Sequence, residues 1–327
     1  MTRLTAESEH DIKTLVFHEA LAEDIVDVMR SLGAPGVIVP CATDHDFEVE
    51  AARCDVLIAA HCDLHPVMQN PRLRWVQSLA SGVETWLTSP GPPRCPITRM
   101  TGVYEPYMAE YVVAHLLCRS QRIQHLRAAQ TGKAWIEPLG LQATLLRGKQ
   151  VGVAGLGHVG TAVARACAAL GMRVVGLRRA APTGSTLPDI EHVFSIADKA
   201  RFFEKLDYLV LAMPLTPASE RFLDREALRL LPSHAVVVNI SRGGLVDEAA
   251  LADALGCGEI AGAVLDTFEI EPLPEVSALW TLPNVTITPH MAGAVYASEV
   301  AEVCARNLKL FASGHVPEPV VDLGAGY

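Results

Sequence analysis

Residues 147–170 read RGKQVGVAGLGHVGTAVARACAAL, and this stretch decides the fold. A short apolar run at 151–154 passes through Gly155-Leu156-Gly157-His158-Val159-Gly160 into a run of good helix formers. The spacing is GxGxxG, set between a strand and a helix. Each glycine has its own physical reason. The first allows a tight turn, the second lets a pyrophosphate approach the backbone, and the third lets helix and strand pack closely. The helix that follows offers unpaired N–H groups to phosphate oxygens. A glycine-rich turn alone carries little; the strand before it and the helix after it make it a dinucleotide site. His158 and Val159, inside the turn, are expected beside the pyrophosphate rather than in the chemistry. The next strand, 172–178, ends in Arg178 and Arg179. An acidic residue there would grip a ribose 2′-hydroxyl and repel a 2′-phosphate, whereas a guanidinium clamps the phosphate with paired charged hydrogen bonds. NADP(H) is therefore favoured over NAD(H).

The same rhythm extends both ways. Downstream, DYLVLAM, AVVVNI, GAVLDTF and VTITP read as further strands, with helices between them, notably at 247–256. Upstream, TLVFHE, GVIVPCA, DVLIAA and LRWVQSLA read as strands buried on both faces, and 20–32 has helical spacing. Strands alternating with helices predict parallel sheets. A long helix is expected over 105–130, with Met108, Val112, Leu116 and Leu117 on its apolar positions. A closing helix near 295–313 lies too far from the last strand to be its next crossover, so it is assigned back to the first unit. The class is α/β, doubly wound, in two lobes, and 327 residues suit two domains at ~100–200 residues each. The expected boundaries are 1–102, 103–289 and a return at 290–327. Crossings near Gly102 and near Ala292 and Gly293 imply closure on binding.

Half the residues are hydrophobic and a fifth charged, an ordinary globular balance. A formal charge of −10 with no basic tract argues against a nucleic-acid partner. It also means that an acidic substrate needs a local positive group. The eight cysteines form no Cys-x-x-Cys pair and read as buried thiols of a reducing compartment. MTRLTAESEHDIK is too polar for a secretory leader, and no apolar run approaches the ~18 residues of a membrane span. A cytoplasmic protein with no membrane association is expected. His61, Cys62 and His65 lack a fourth ligand, so no metal is expected. No Gly-x-Ser-x-Gly elbow points to a hydrolase.

Three segments follow the glycine motif in order: VVVNISRGGLVDE (236–248), GAVLDTFEIEPLP (262–274) and NVTITPHMAGA (284–294). With LASGVE at 79–84, they closely resemble the D-isomer-specific 2-hydroxyacid dehydrogenases over nearly the whole chain. MAEYVVAHLL, AWIEPLG and the strand-end arginines resemble the glyoxylate/hydroxypyruvate reductase branch. The resemblance implies a Rossmann-type dinucleotide domain, a smaller, flavodoxin-like, discontinuous substrate domain, and a homodimer to which the 105–130 helix contributes. It implies an enzyme acting on a small 2-keto or 2-hydroxy acid, with Arg242, Glu271 and His290 as its catalytic set. A guanidinium at Arg242 supplies the positive charge that the acidic chain otherwise lacks, binding the carboxylate and polarising the keto oxygen. His290 would exchange a proton with that oxygen, and Glu271 would orient its ring.

By the same resemblance Asp266 accepts a hydrogen bond from the nicotinamide carboxamide, and Pro214, Thr216 and Ile240 contact the cofactor. Ser81 and Gly82 hold the substrate carboxylate through backbone N–H groups, a close approach that glycine permits. His61 borders the substrate pocket. Trp135 is read either as reaching a neighbouring subunit's site or as an interface or core aromatic. Two other activities belong to this fold family. Dinucleotide-sensing corepressors are one, against which stands the lack of a long disordered tail. Formate dehydrogenases are the other, and that branch carries glutamine where this chain has Glu271.

Overall fold

The structure, a computed structural model, describes residues 12–60, 62–88, 92–137, 141–180, 187–293 and 296–326. Its contacts divide the chain into two units, Met1–Val103 with Val295–Tyr327, and Tyr104–Ala294.

The first unit alternates β1 (Lys13–Phe17), α1 (Ala22–Ser31), β2 (Val37–Cys41), α2 (Asp44–Ala51), β3 (Val56–Ala59), α3 (His65–Met68), β4 (Trp75–Ser78), α4 (Glu84–Thr88) and β5 (Ile97–Thr98). These strands pair in parallel in the order β2-β1-β3-β4-β5, the flavodoxin-like winding. The sequence pattern reads β2 as buried on both faces. It is an edge strand with Val37 exposed, a position that tolerates Pro40 because one side of the strand makes no ladder bonds. The two-residue β5 was too short to read.

The C-terminal helix Ala297–Ala312 packs against α1 and returns the chain to this sheet. Val300, Cys304 and Leu308 are buried along it, and Phe311 stacks on Trp75 at 5.3 Å between ring centroids. A buried polar chain joins helix to sheet. Trp75 Nε1 donates to Thr98 Oγ1 at 2.9 Å, while the Thr98 hydroxyl and Asn307 Nδ2 both donate to Gln77 Oε1, each at 2.9 Å. Most buried polar groups in folded proteins are partnered in this way.

The second unit opens with α5 (Tyr104–Ser120) and α6 (Ile123–Thr131). It continues through β6 (Gln150–Ala154), α7 (His158–Ala169), β7 (Arg173–Arg178), β8 (His192–Ser195), α8 (Lys199–Phe203), β9 (Tyr208–Leu211), α9 (Arg225–Leu230), β10 (Val236–Asn239), α10 (Glu248–Gly256), β11 (Gly262–Leu265) and β12 (Val285–Ile287). The seven strands are parallel in the order β12-β11-β10-β9-β6-β7-β8. That is the doubly wound Rossmann order, and its direction of winding reverses between β6 and β9.

The single helix expected over 105–130 is two. Arg122 takes a left-handed conformation, φ 57°, and restarts the chain as α6. The apolar periodicity explains the break: Ala109, Val112 and Leu116 bury α5 in the core it shares with Val163 and Ala164 of α7, whereas α6 buries no residue. Residues 290–292, where the return to the first unit was expected, are bonded to the end of the second sheet. Met291 and Ala292 donate their N–H groups to the Asp266 carboxylate and keep this segment on the second sheet. Cys41, Cys54, Cys167 and Cys304 are buried, but Cys257, on the turn that ends α10, is exposed. Among the described residues no helix is long and apolar enough to cross a membrane, and none of their His, Cys, Asp and Glu side chains form a metal-holding group.

Gln77→Leu strips the shared acceptor from two buried donors and should destabilise the protein by about 2–4 kcal/mol in urea unfolding. Adding Asn307→Leu should recover part of that loss, since an apolar pair leaves one fewer donor unsatisfied; a fully additive loss would refute the network.

Candidate active site

Because every strand of the second sheet runs the same way, their carboxyl ends share one edge. The candidate residues follow the strand order along it. His290 comes after β12, Asp266 and Glu271 after β11, Arg242 after β10, Pro214 and Thr216 after β9, and the glycine turn after β6. Arg178 ends β7, with Arg179 next. Neighbouring strands sit about 4.8 Å apart, so residues far apart in the chain become neighbours by pairing alone.

His290 has φ 50°, uncommon for a residue with a side chain. Its N–H donates to the carbonyls of Asp266, at 2.8 Å, and Thr288, at 3.1 Å. Its ring Nδ1 lies 2.8 Å from Glu271 Oε2, and Glu271 Oε1 accepts the Phe268 N–H at 2.9 Å. The peptide bond from Glu271 to Pro272 is cis. A carboxylate only accepts, so Nδ1 carries the hydrogen and Nε2 is the nitrogen left to exchange a proton. The His290 side chain keeps 46% of its surface exposed, which leaves it reachable.

Asp266, by contrast, is 1% exposed. Its carboxylate accepts the Met291 N–H at 2.9 Å, the Ala292 N–H at 2.8 Å and the Thr288 hydroxyl. It thus fixes the turn that carries His290.

Arg242 stands at the N-cap position of a short 3-10 turn, Gly243–Leu245, and is half-buried. Asn239 pins this loop by donating to the Arg242 carbonyl and accepting the Ser241 N–H, and Ser241 Oγ reaches the Met213 carbonyl at 2.6 Å. The guanidinium Nη1 donates to the Ser241 carbonyl at 2.7 Å. Downstream, Asp247 caps α10 through the Ala250 N–H, and Glu248 accepts the Glu269 N–H. Gly243 is a close-approach position. A Cβ there would sit 1.8 Å from the Phe268 carbonyl carbon and 2.2 Å from the Glu269 nitrogen. The Arg242 loop therefore rests directly on the backbone leading to Glu271.

The glycine turn fits a dinucleotide. Gly155 has φ 96° and no room for a Cβ, which would lie 2.5 Å from the Ala212 oxygen. At Gly160 a Cβ would lie 1.8 Å from the Gly155 oxygen, while Gly157 has nothing within 4 Å of that position. The turn is thus tight where helix meets strand and open where a phosphate must approach. Gly157, the N-cap of α7, supplies no side-chain acceptor to the helix's first N–H groups. His158 is exposed and Val159 half-buried on that first turn. Arg178 Nη2 donates to the Leu156 carbonyl at 2.8 Å, so this guanidinium also braces the turn; Arg179 is exposed. Ser219 Oγ accepts the Thr216 N–H at 2.8 Å and donates to the Pro214 carbonyl at 2.7 Å, holding that loop.

Some expected residues lie elsewhere. Ile240, at 2% exposure, packs its side chain into the sheet core and offers no side-chain surface to a cofactor. Trp135 is 87% exposed, which excludes the core reading. Ser81 and Gly82 follow β4 in the first unit and are partly exposed. His61 lies outside the described residues. Thr288 and Tyr111, whose hydroxyls are 2.6 Å apart, went unnoticed in the sequence. Thr288 had a signal, its place two residues before His290; Tyr111 had none, because helical periodicity marks it only as a flanking position.

Residues 113–292 match the sequence family described as D-isomer specific 2-hydroxyacid dehydrogenase, NAD binding domain. The chain belongs to the D-isomer-specific 2-hydroxyacid dehydrogenase family, and it is an oxidoreductase. It is 31% identical over 284 residues to a glyoxylate reductase of Korarchaeum cryptofilum, covering 82% of this chain and 83% of that one. A glyoxylate reductase of Thermococcus kodakarensis is 34% identical over 266 residues, covering 77% of each. Among solved structures, an NADPH-dependent glyoxylate/hydroxypyruvate reductase from Sinorhizobium meliloti, in complex with NADP and sulfate, superposes with TM-score 0.85. It has 27% identity, over 96% of this chain and all of that one. A family member from Xanthobacter autotrophicus in complex with NADPH and MES gives TM-score 0.84 and 29% identity, over 96% and 99% of the two chains.

In this dehydrogenase Gly243→Ala should cost at least about 2 kcal/mol of stability, because backbone on both sides must move. Gly244→Ala meets only the flexible end of Leu215, at 2.9 Å, and should be tolerated. Chemical denaturation of the two variants checks this, and equal stability would disprove the close approach.

Proposed function

We propose that this dehydrogenase reduces a small 2-keto acid, such as glyoxylate or hydroxypyruvate, to the D-2-hydroxy acid, with NADP(H) favoured over NAD(H). The observation that carries the reading is the 2.8 Å contact between His290 Nδ1 and Glu271, on the same sheet edge as the dinucleotide turn. The reduced dinucleotide, held by the Gly155–Gly160 turn with Arg178 and Arg179 toward its ribose phosphate, supplies a hydride. Every other part of the chemistry falls to side chains of the chain itself.

Arg242 pairs with the substrate carboxylate and draws electron density onto the keto oxygen. Its fork of donors is pre-shaped for that group. As the carbonyl carbon gains the hydride, His290 delivers the proton on Nε2 to the oxygen, and solvent later restores it. Glu271 keeps the ring in one tautomer and offsets the charge it carries before transfer. The Sinorhizobium and Xanthobacter proteins carry NADP and NADPH in their structures, which supports the cofactor preference that Arg178 and Arg179 give. A homodimer through the α5–α6 face accounts for Ile123, Leu126 and Trp135 standing exposed beside a helix that buries nothing.

The test is oxidation of NADPH and of NADH with glyoxylate, hydroxypyruvate and phenylpyruvate. NADPH with at least one small keto acid should turn over, and Arg242→Ala should lower kcat/KM by about 10²–10³-fold, the scale of losing one charge-stabilising donor. No oxidation with any keto acid, or an Arg242→Ala variant of normal activity, would overturn the proposal.

A further inference from the structure

Two hydroxyl groups away from the reacting atoms form a chain that ends on the turn carrying His290. Thr288 Oγ1 donates to Asp266 Oδ1, since a carboxylate only accepts, and its single hydrogen is thereby committed. Tyr111 Oη, 2.6 Å from the same Thr288 oxygen, must then be the donor in that contact. Burial pushes the Tyr111 phenol up to about 12, so its hydrogen is present throughout the working range. The run of bonds is directional: Tyr111 to Thr288, Thr288 to Asp266.

What Asp266 does with the rest of its capacity shows the purpose. Its two carboxylate oxygens take the N–H groups of Met291 and Ala292, and its carbonyl takes the N–H of His290. Three consecutive residues of the turn therefore hang on one aspartate. The turn needs such support, because His290 sits at φ 50° and a residue with a side chain holds that region only where its surroundings over-determine it. Asp266 is in turn oriented by the Thr288 hydroxyl, and Thr288 is anchored by a tyrosine on another element. Tyr111 is itself well anchored. Its ring lies 4.3 Å from that of His115, and α5 packs along α7, whose first turn is the dinucleotide cradle. One helix thus braces both the cofactor turn and the proton-donor turn.

We propose that Tyr111 and Thr288 are positioning residues, whose chained hydroxyls orient Asp266 and through it hold the His290 imidazole in place for proton transfer. The inference rests on the role given to His290 above. Its effect belongs first in the turnover step, because the run of bonds ends on the turn that carries His290 and none of them touches the glycine turn.

The experiment uses the full-length enzyme with Thr288→Val, Thr288→Ser and Tyr111→Phe. Each is measured for kcat with the best keto acid, for NADPH affinity by fluorescence, and for the imidazole signal of His290 in ¹³Cε1-histidine-labelled protein. That signal is assigned by its loss in His290→Gln. Thr288→Val should lower kcat by about 10–100-fold, the range expected when a reacting group is held slightly out of place, with NADPH affinity within about threefold. The His290 signal alone should shift or broaden. Thr288→Ser, which keeps the hydroxyl, should restore both readouts, and Tyr111→Phe should fall between. If Thr288→Val does not fold, Tyr111→Phe decides alone. Unchanged kcat and an unchanged His290 signal overturn the proposal, as does a loss of kcat that serine fails to restore while the signal stays put. Should the wild-type enzyme reduce no keto acid, the functional reading fails separately, and the imidazole signal still decides whether the two hydroxyls hold the turn.

Discussion

Asp266 is a charged-type side chain with almost no surface, and the candidate site is arranged around satisfying it. A carboxyl group taken out of water is costly unless donors replace its hydration. Here they come from the Thr288 hydroxyl and from the N–H groups of Met291 and Ala292. Meeting that demand forces the chain after β12 to curl back over the end of β11. The curl sets His290 at an unusual φ and brings its ring to Glu271. The same bonds keep residues 290–292 with the second sheet.

The sheet supplies the rest of the placement. Parallel strands bring every βα loop to one edge, and the winding reversal between β6 and β9 opens that edge beside the glycine turn. Arg242, Glu271 and His290 come from adjacent loops, after β10, β11 and β12. Close backbone approach at Gly243 seats the first of these loops on the second, so the guanidinium and the Glu271–His290 pair stand on mutually supporting backbone. A precise site needs such support from rigid elements more than it needs any one side chain.

Much of this was legible in the sequence because it depends on local pattern. The glycine turn, the parallel α/β class and the order of the three downstream motifs are statements about spacing, and spacing survives in one dimension. Tertiary context undid the rest. The helix expected through 130 stops at Ser120, since nothing lies beneath α6 to bury. β2 reads as buried on both faces because Val37, Ile38 and Val39 are apolar, yet as an edge strand it leaves Val37 exposed. The resemblance set Ile240 among the cofactor residues, and just past the end of β10 its side chain is buried in the sheet core. The pairing of Tyr111 with Thr288 joins positions 177 residues apart, and no local pattern encodes it.

The central claim is that His290 and Glu271 act as one unit in proton transfer. A double-mutant cycle on kcat/KM tests it most directly, with His290→Gln, Glu271→Gln and the combined variant measured on the same keto acid. Groups acting as a unit give losses far from additive, so the double variant should be scarcely slower than His290→Gln alone. Losses that simply multiply, each variant contributing its full factor, would contradict the account.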